Sequence, residues 1–387
     1  MTFKTLTRAT LVAFPSLCGA APLAIEAVNP LSLARASQTI ELSQKDLAEL
    51  GAKELNLVHI KDAAGNEVLC QAVDTDGDEL RKFDSVIFQA DFAPGETKTF
   101  TASVGAKQIY SKEQYKVFGR FVRERFDDFT WENDRIAHRT YGHALETWKG
   151  EPLTSSTIDI WSKRTPRMVI SDWYLADDYH VDHGEGADFY SAGKSRGCGG
   201  NGLWADGKLW LSNNFIASRV LANGPIRVMF ELDYAPFDCA GSSVSETKRI
   251  TLDAGQQLDH FQSSYKMPTD KAATLKCAIG LKKAAGEQVE ANPEKGWLVK
   301  WEKMEKGAGN QGLAIITDPK AFDSHTADTL NQLVIEKLGT DNSASYWAGF
   351  CWDKYGKLTT AGEWKAYVDE FAQSLAAPVK VTVTAAK

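Results

Sequence analysis

Cysteine is scarce and poorly placed for pairing. Six occur, at positions 18, 70, 198, 239, 277 and 351, widely spread and without a C-x-x-C. A disulfide-stapled scaffold is therefore excluded. If Cys18 leaves with a leader, five remain. One or two bridges in an oxidising compartment, or buried free thiols, are then the alternatives. Net positive charge is also lacking: 44 Lys and Arg stand against 51 Asp and Glu, a formal charge of −7. That field repels nucleic acid, and an anionic substrate would need a local basic pocket. No apolar run is long enough to span a membrane comfortably. No G-x-S-x-G occurs, which argues against a serine hydrolase of the α/β type. There is no dinucleotide fingerprint. The glycine-rich stretch Lys194-Ser195-Arg196-Gly197-Cys198-Gly199-Gly200 is not a phosphate loop, because no G-K-[ST] opens a helix there. A glycosidase carboxylate pair stays open, since paired carboxylates need no local motif.

What is present is aromatic and strand-like. The 387 residues suffice for one large or two ordinary domains, with 43% hydrophobic and 25% charged residues. The 11 Trp suit a β-protein, a carbohydrate binder whose indoles stack on sugar rings, or simply a large core. Residues 1–36 read as a signal peptide. Lys4 and Arg8 start it, a mostly apolar, small-residue run follows, and Ala34-Arg35-Ala36 is the cleavage site, with Cys18-Gly19-Ala20 as the earlier alternative. A periplasmic or secreted location is expected. Residues 37–107 alternate in short runs between turn signals and form an N-terminal β-layer. Residues 108–387 form the main domain, a large antiparallel β-sandwich with one or two helices near the C-terminus. Those helices are expected at 327–338, from the spacing of Leu330, Leu333, Val334 and Leu338, and at 360–375. In the second, Thr360 and Glu363 make a capping box ahead of Trp364, Val368, Phe371 and Leu375. Val379, Val381 and Val383 alternate as a last strand.

Chemistry concentrates in two stretches. Residues 173–202 hold His180, His183, Tyr179, Tyr190, Glu185 and Arg196 among aromatics and glycines, costly company for any core element. His180-x-x-His183-x-Glu185 is compatible with a divalent metal. The same residues can do acid–base work without one: a neutral imidazole removes a proton and a tyrosine hydroxyl supplies one. Arg196 in its tight loop faces an anion, and Cys198 is structural. Residues 129–143, if one strand, put Trp131, Asn133, Arg135, Arg139, Tyr141 and His143 on one face. Arg grips a carboxylate bidentately, Asn reads hydroxyls and Trp stacks, which together suit a sugar acid. His138 falls on the other face beside Ile136 and reads as a core histidine. His143 is held in reserve.

Several runs, RFDDFTWENDRIAHRTYG, STIDIWSKR, YHVDHGEGADFYSAGKSRGCGG, LWLSNNF and VLANGPIRVMFEL, resemble a bacterial family of domain-of-unknown-function proteins. Its members are found in polysaccharide utilisation loci and include an oligosaccharide dehydratase of ulvan breakdown. The resemblance runs from about Arg120 to the C-terminal helix. It implies a galactose-mutarotase-like or lyase-like supersandwich. It also implies elimination of water from the non-reducing-end uronic acid of an oligosaccharide, leaving a 4,5-unsaturated residue. A cleavage of the glycosidic bond by the same chemistry is the alternative, and a non-catalytic glycan-binding sandwich the third. Elimination needs a cation for the carboxylate, a base for the C5 proton and an acid for the C4 oxygen. On this reading Arg139 with Asn133 serves the first, His183 or His180 the second, and Tyr190 or Tyr179 the third. Trp131, Tyr141, Glu185 and Arg196 complete the sugar contacts. No cofactor is required, and the partner is the uronic-acid oligosaccharide.

Overall fold

The computed structural model describes residues 21–78, 82–149, 153, 156–268 and 274–386. It is mainly β. The N-terminal part is a small sandwich of two antiparallel sheets. One runs in the order Lys380–Ala385, Leu23–Val28, Thr97–Val104, Val58–Asp62, Glu67–Val68. The other runs Arg35–Ser43, Ser85–Phe92, Cys70–Val73. Between them Ile25, Ala27, Ile60, Phe88 and Phe100 close a core of their own.

This corrects the leader boundary. Leu23–Val28 is hydrogen-bonded along both edges, and Leu23, Ile25 and Ala27 are buried. Cleavage after Ala36 would remove an inner strand and leave its neighbours with unpaired edges. The small apolar run that reads as a leader is in this part a strand with an inward face of period two. Residues 1–20, including the Cys18-Gly19-Ala20 alternative, lie outside the described residues.

The main sandwich has an eight-stranded antiparallel sheet, ordered Phe215–Asn223, Arg227–Cys239, Ser242–Asp253, Leu258–Lys266, Ser343–Trp352, Asn310–Thr317, Trp297–Lys303, Gln288–Asn292. Two five-stranded sheets contribute to the same core. One is Lys208–Trp210, Cys198–Ala205, Lys276–Lys282, Asn331–Lys337, Phe322–Ala327. The other is Gly186–Ala187, Asp159–Lys163, Ala137–Thr140, Asp128–Asn133, Val117–Val122. Phe129 and Ile160 from the second, Leu203 and Ile279 from the first, and Phe230, Ile250 and Phe261 from the large sheet pack as one cluster. The helix Ala361–Ala376 lies on the outer face of the large sheet. Thr360 accepts from Glu363 N while the Glu363 carboxylate accepts from Thr360 N, the expected capping box. Trp364 and Val368 bury against Trp297 and Ile316. No helix among the described residues is long and apolar enough to cross a membrane.

The expected helix at 327–338 is instead the strand Asn331–Lys337, hydrogen-bonded to a neighbour on each side. Both of its faces are covered, so Leu333, Val334 and Ile335 are buried in succession and the period-two signal vanishes. Glu336 is buried in the same strand, and burial pushes its carboxyl up from 4.5 to about 8. The folded state therefore holds this proton more tightly than the unfolded chain does. Its contribution is intact below the unfolded value and drains away as pH rises toward 8. Glu336→Gln is accordingly expected to stabilise the protein near neutral pH by roughly 3 kcal/mol and hardly at all at acidic pH. Thermal melts at the two pH values check this. An equal shift at both would show that the carboxyl is not titrating with folding.

Candidate functional site

The hairpin of Asp128–Asn133 and Ala137–Thr140 carries the site. Asn133 makes its turn. Its Oδ1 accepts from Arg135 N at 2.8 Å and Ile136 N at 2.9 Å, and its Nδ2 donates to the carbonyls of Asp253 and Gln256, each at 2.8 Å. The chain thus reverses inside 129–143, and the single polar face expected there does not form. Trp131 pairs with His138 and Arg139 with Thr130, so Trp131 and Arg139 lie on opposite faces of the sheet.

Two expected sugar contacts are corrected by this reversal. Trp131 is wholly buried, donates to Asp259 Oδ1 at 2.7 Å and stacks on His138 with ring centroids 5.1 Å apart. It is core and cannot stack on a sugar. Asn133 spends its amide on the turn and reads no hydroxyl. His138 is the buried core histidine expected, with Nε2 at 3.2 Å from Asp259 Oδ2. Burial pushes His138 down to about 3 and Asp259 well above the usual carboxylate range, which favours a neutral pair sharing one proton. His143 is exposed and sits 3.4 Å from Glu146.

The other face, turned away from the main core, holds a buried polar cluster centred on Arg139. Arg139 Nε donates to Asp159 Oδ2 at 3.0 Å and Nη2 to Asp188 Oδ2 at 2.8 Å, while Nη1 lies 3.8 Å from Asp128 Oδ2. Tyr141 donates to Asp159 at 2.6 Å and Tyr174 to Asp128 at 3.0 Å. The rings of Tyr141, Trp161 and Tyr179 stand 5.4, 5.5 and 5.4 Å from the guanidinium carbon. Burial alone would weaken the Arg139 cation, but Tyr141, Asp188 and Asp159 outweigh it and hold the charge well above its usual range. Burial pushes Asp128 up to about 7, against the pull of Arg139. Arg139 is buried, and its Nε and Nη2 are committed to Asp159 and Asp188, so it does not meet a substrate carboxylate from solvent. The expected grip is corrected: Arg139 is an anchor.

A short helix and a loop roof this cluster. Glu132, buried, accepts from Lys163 Nζ at 2.6 Å, Val169 N at 3.0 Å and Ile170 N at 2.9 Å, which fixes the start of the helix Ile170–Ala176. The helix stops at Asp177, whose φ of 51° is left-handed. Tyr179 then stacks on Trp161 at 4.9 Å, and its carbonyl accepts from Asp188 N at 2.8 Å, closing the loop on itself. His180 comes to rest above Asp188. Its Nδ1 is 3.2 Å from the Asp188 carbonyl and 3.4 Å from Oδ2, while the side chain is 62% exposed. His183 is 67% exposed, with Nε2 at 2.9 Å from Asp178 Oδ2.

The remaining expected residues fall elsewhere. Glu185 is held by Arg167 through Nε at 2.9 Å and Nη2 at 2.5 Å, so the metal set of His180, His183 and Glu185 does not assemble. Among the described residues, the close group of ligand-type atoms is Asp74, Asp76 and Asp84, in the N-terminal sandwich. Tyr190 belongs to the main core and its hydroxyl is fully buried, which corrects its role as a proton donor to a sugar oxygen. Burial also keeps that phenol well above its usual range. Arg196 is wholly buried, donating to Ser156 Oγ at 3.3 Å, and burial pushes it down to about 10. It cannot meet a substrate anion from solvent. The five described cysteines are free and buried. Sequence reasoning missed Asp128, Asp159, Asp188 and Trp161 as members of the cluster. Lone carboxylates carry no spacing signal, and only a strand register could have shown Asp159 opposite Arg139.

The family described as "Domain of unknown function (DUF4861)" matches residues 28–381. A relative from Formosa agariphila, "Uncharacterized protein P7", is 32% identical over 372 residues, 92% of either chain. Among solved structures, a protein in the glycosyl hydrolase family 38 from Enterococcus faecalis superposes with a TM-score of 0.51 at 11% identity. The likeness covers 96% of this chain and 48% of that one, so the chain spans about half of that protein's length. At this identity the likeness is one of fold.

Proposed function

From the premise that the chain belongs to the DUF4861 family, we propose that it is a carbon–oxygen lyase acting on uronic-acid oligosaccharides. The reaction is elimination of water from the non-reducing-end residue to leave a 4,5-unsaturated sugar. The observation that carries this reading is the chain Arg139–Asp188–His180. A buried cation fixes the Asp188 carboxylate, and Asp188 in turn meets Nδ1 of an exposed imidazole through its carbonyl at 3.2 Å and its carboxylate at 3.4 Å. An exposed imidazole is a side chain suited to general-base removal of a proton alpha to a carboxylate. The fold shared with a glycosyl hydrolase family 38 protein lends support to a glycan substrate.

His180 Nε2 takes the C5 proton as the C5–H bond breaks, and that electron pair forms the C4–C5 double bond. The C4–O bond breaks, and the departing hydroxyl takes a proton from His183 and leaves as water. His183 replaces Tyr190 as the acid, because it is exposed on the same loop and backed by Asp178. Charge that develops on the substrate carboxylate is met by Arg164, paired with the single acid Asp182, whereas Arg167 is held by both Asp172 and Glu185. The protein would work in the periplasm or outside the cell.

The test is incubation with oligosaccharides ending in a saturated uronic acid, followed by ultraviolet absorbance and mass spectra. New absorbance with loss of one water and unchanged chain length is the expected result. Absorbance with shorter products would replace the dehydratase by a lyase that breaks the glycosidic bond. Shorter products without absorbance would mean a hydrolase and overturn the reading.

A further inference from the structure

A concavity lies apart from the His180 loop, none of whose residues line it. It is a cavity of about 500 Å³ between the outer face of the eight-stranded sheet, the N-terminal sandwich and the helix Ala361–Ala376. That is the size of a small-ligand site, at a junction of substructures where such sites are common. Its floor is aromatic. Trp347 stacks on His260 with centroids 4.3 Å apart and planes 9° apart, and Tyr367 and Phe371 stand on the helix side. His260 is pinned by Ser345 Oγ at 2.9 Å. Burial pushes this imidazole down to about 4, so the stacked pair is uncharged at neutral pH.

Two arginines line the cavity, and they differ. Arg227 is neutralised by Asp253 at 2.7 Å and Glu41 at 2.8 Å. Arg35 is 5% exposed and bonds only to neutral groups, the Ala377 carbonyl and Gln38 Oε1, the latter at 3.3 Å. Its buried Nε has no partner among the described residues, and no carboxylate there makes an ion pair with it. A buried guanidinium whose charge is uncompensated calls for an anion. An indole in the same cavity calls for the flat C–H face of a pyranose, and Gln256 and Glu370 supply acceptors for hydroxyls.

We infer that this cavity binds an anionic sugar residue, its ring on Trp347 and its carboxylate or sulfate on Arg35, as a glycan site separate from the His180 loop. The inference rests on the cavity alone and not on the reaction proposed above. It also explains why the N-terminal sandwich is joined to the main one here: Arg35 comes from the first and Trp347 from the second.

The test is calorimetric titration of the full chain with three probes of equal length, an oligogalacturonate, a sulfated galactan oligosaccharide and a neutral galactan oligosaccharide. The acidic probes are expected to bind and the neutral one to bind weakly. Binding of galacturonate alone assigns a carboxylate, of the sulfated chain alone a sulfate, and of both a general anion site. Trp347→Ala should weaken the acidic probes about tenfold, as expected for one stacked aromatic. Arg35→Gln should erase the preference for acidic over neutral chains, and its melting midpoint reports whether it folds. Should it not fold, Trp347→Ala with the three probes decides alone. Any galacturonate bound at the His180 loop would remain as a Trp347-independent site. The inference falls if no Trp347-dependent binding exists, or if the neutral probe binds as tightly as the acidic ones. Trp347-dependent binding in a protein that gives no ultraviolet product would leave this inference standing and remove the dehydratase.

Discussion

His180→Ala is expected to lower turnover on uronic-ended oligosaccharides by about three orders of magnitude while leaving the fold intact. The size follows from the usual worth of a positioned general base. The intact fold follows from exposure, since the His180 side chain is largely solvent-facing. Asp188→Asn tests the same relay one step in. The amide keeps the shape and the main-chain carbonyl that also meets Nδ1 but removes the carboxylate charge beside it, so a smaller loss, on the order of tenfold to a hundredfold, should appear in kcat rather than KM. The two losses should not add in the double variant, because both act through one nitrogen. His183→Ala should also be severe, but its defect should shrink on a substrate whose leaving oxygen needs less help from an acid. Full turnover by His180→Ala would end the assignment. Full turnover there, joined to a dead His183→Ala, would exchange the roles of the two histidines.

How far the sequence led can be read from these same residues. The loop 173–202 was conspicuous because His180 and His183 sit among acids and aromatics without any hydrophobic period. The structure puts both histidines where solvent reaches them. The β-sandwich was legible because alternation survives wherever one face is dry. The strand Ser242–Asp253 alternates in burial along its whole length, with Val244, Ile250 and Leu252 inward, although Glu246 and Lys248 share that inward face. The signal failed where both faces are dry, as in Asn331–Lys337, and where a strand imitates a leader, as in Leu23–Val28. It failed again at Asn133. A turn held by one side-chain amide, with no Gly or Pro, looks like strand continuation, and that one error moved Trp131 from a sugar face to the core. Tyr190 and Arg196 were misplaced for a related reason. Polar residues in a glycine-rich loop read as surface, yet here the loop runs inward and both are sealed.

Arg139→Met should be the most damaging single change to stability. It leaves Asp128, Asp159 and Asp188 buried around an uncharged side chain, with side-chain exposures of 0%, 1% and 1%. Removing one partner of a buried ionic group costs about 3–5 kcal/mol, since the remaining charges lose the cation that offsets their burial. The pH dependence separates this cause from a packing defect. With Arg139 present, burial already lifts Asp128 to about 7. Without it that carboxyl rises further, and its neighbours lose the same cation. Groups whose folded values are raised contribute fully below their unfolded values and lose that contribution as pH rises. The gap between variant and wild type should therefore be widest at neutral to alkaline pH and narrow as the solution is acidified and the carboxyls take up protons. A gap that stays constant with pH would mean that Arg139 serves the fold by shape alone. Arg139→Lys keeps the charge but not the fork that meets Asp159 and Asp188 together, so it should recover much of the stability and little of the turnover. Recovery of both would show that the direction of the Asp188 carboxylate does not matter to His180, and the relay would then have no role in the reaction.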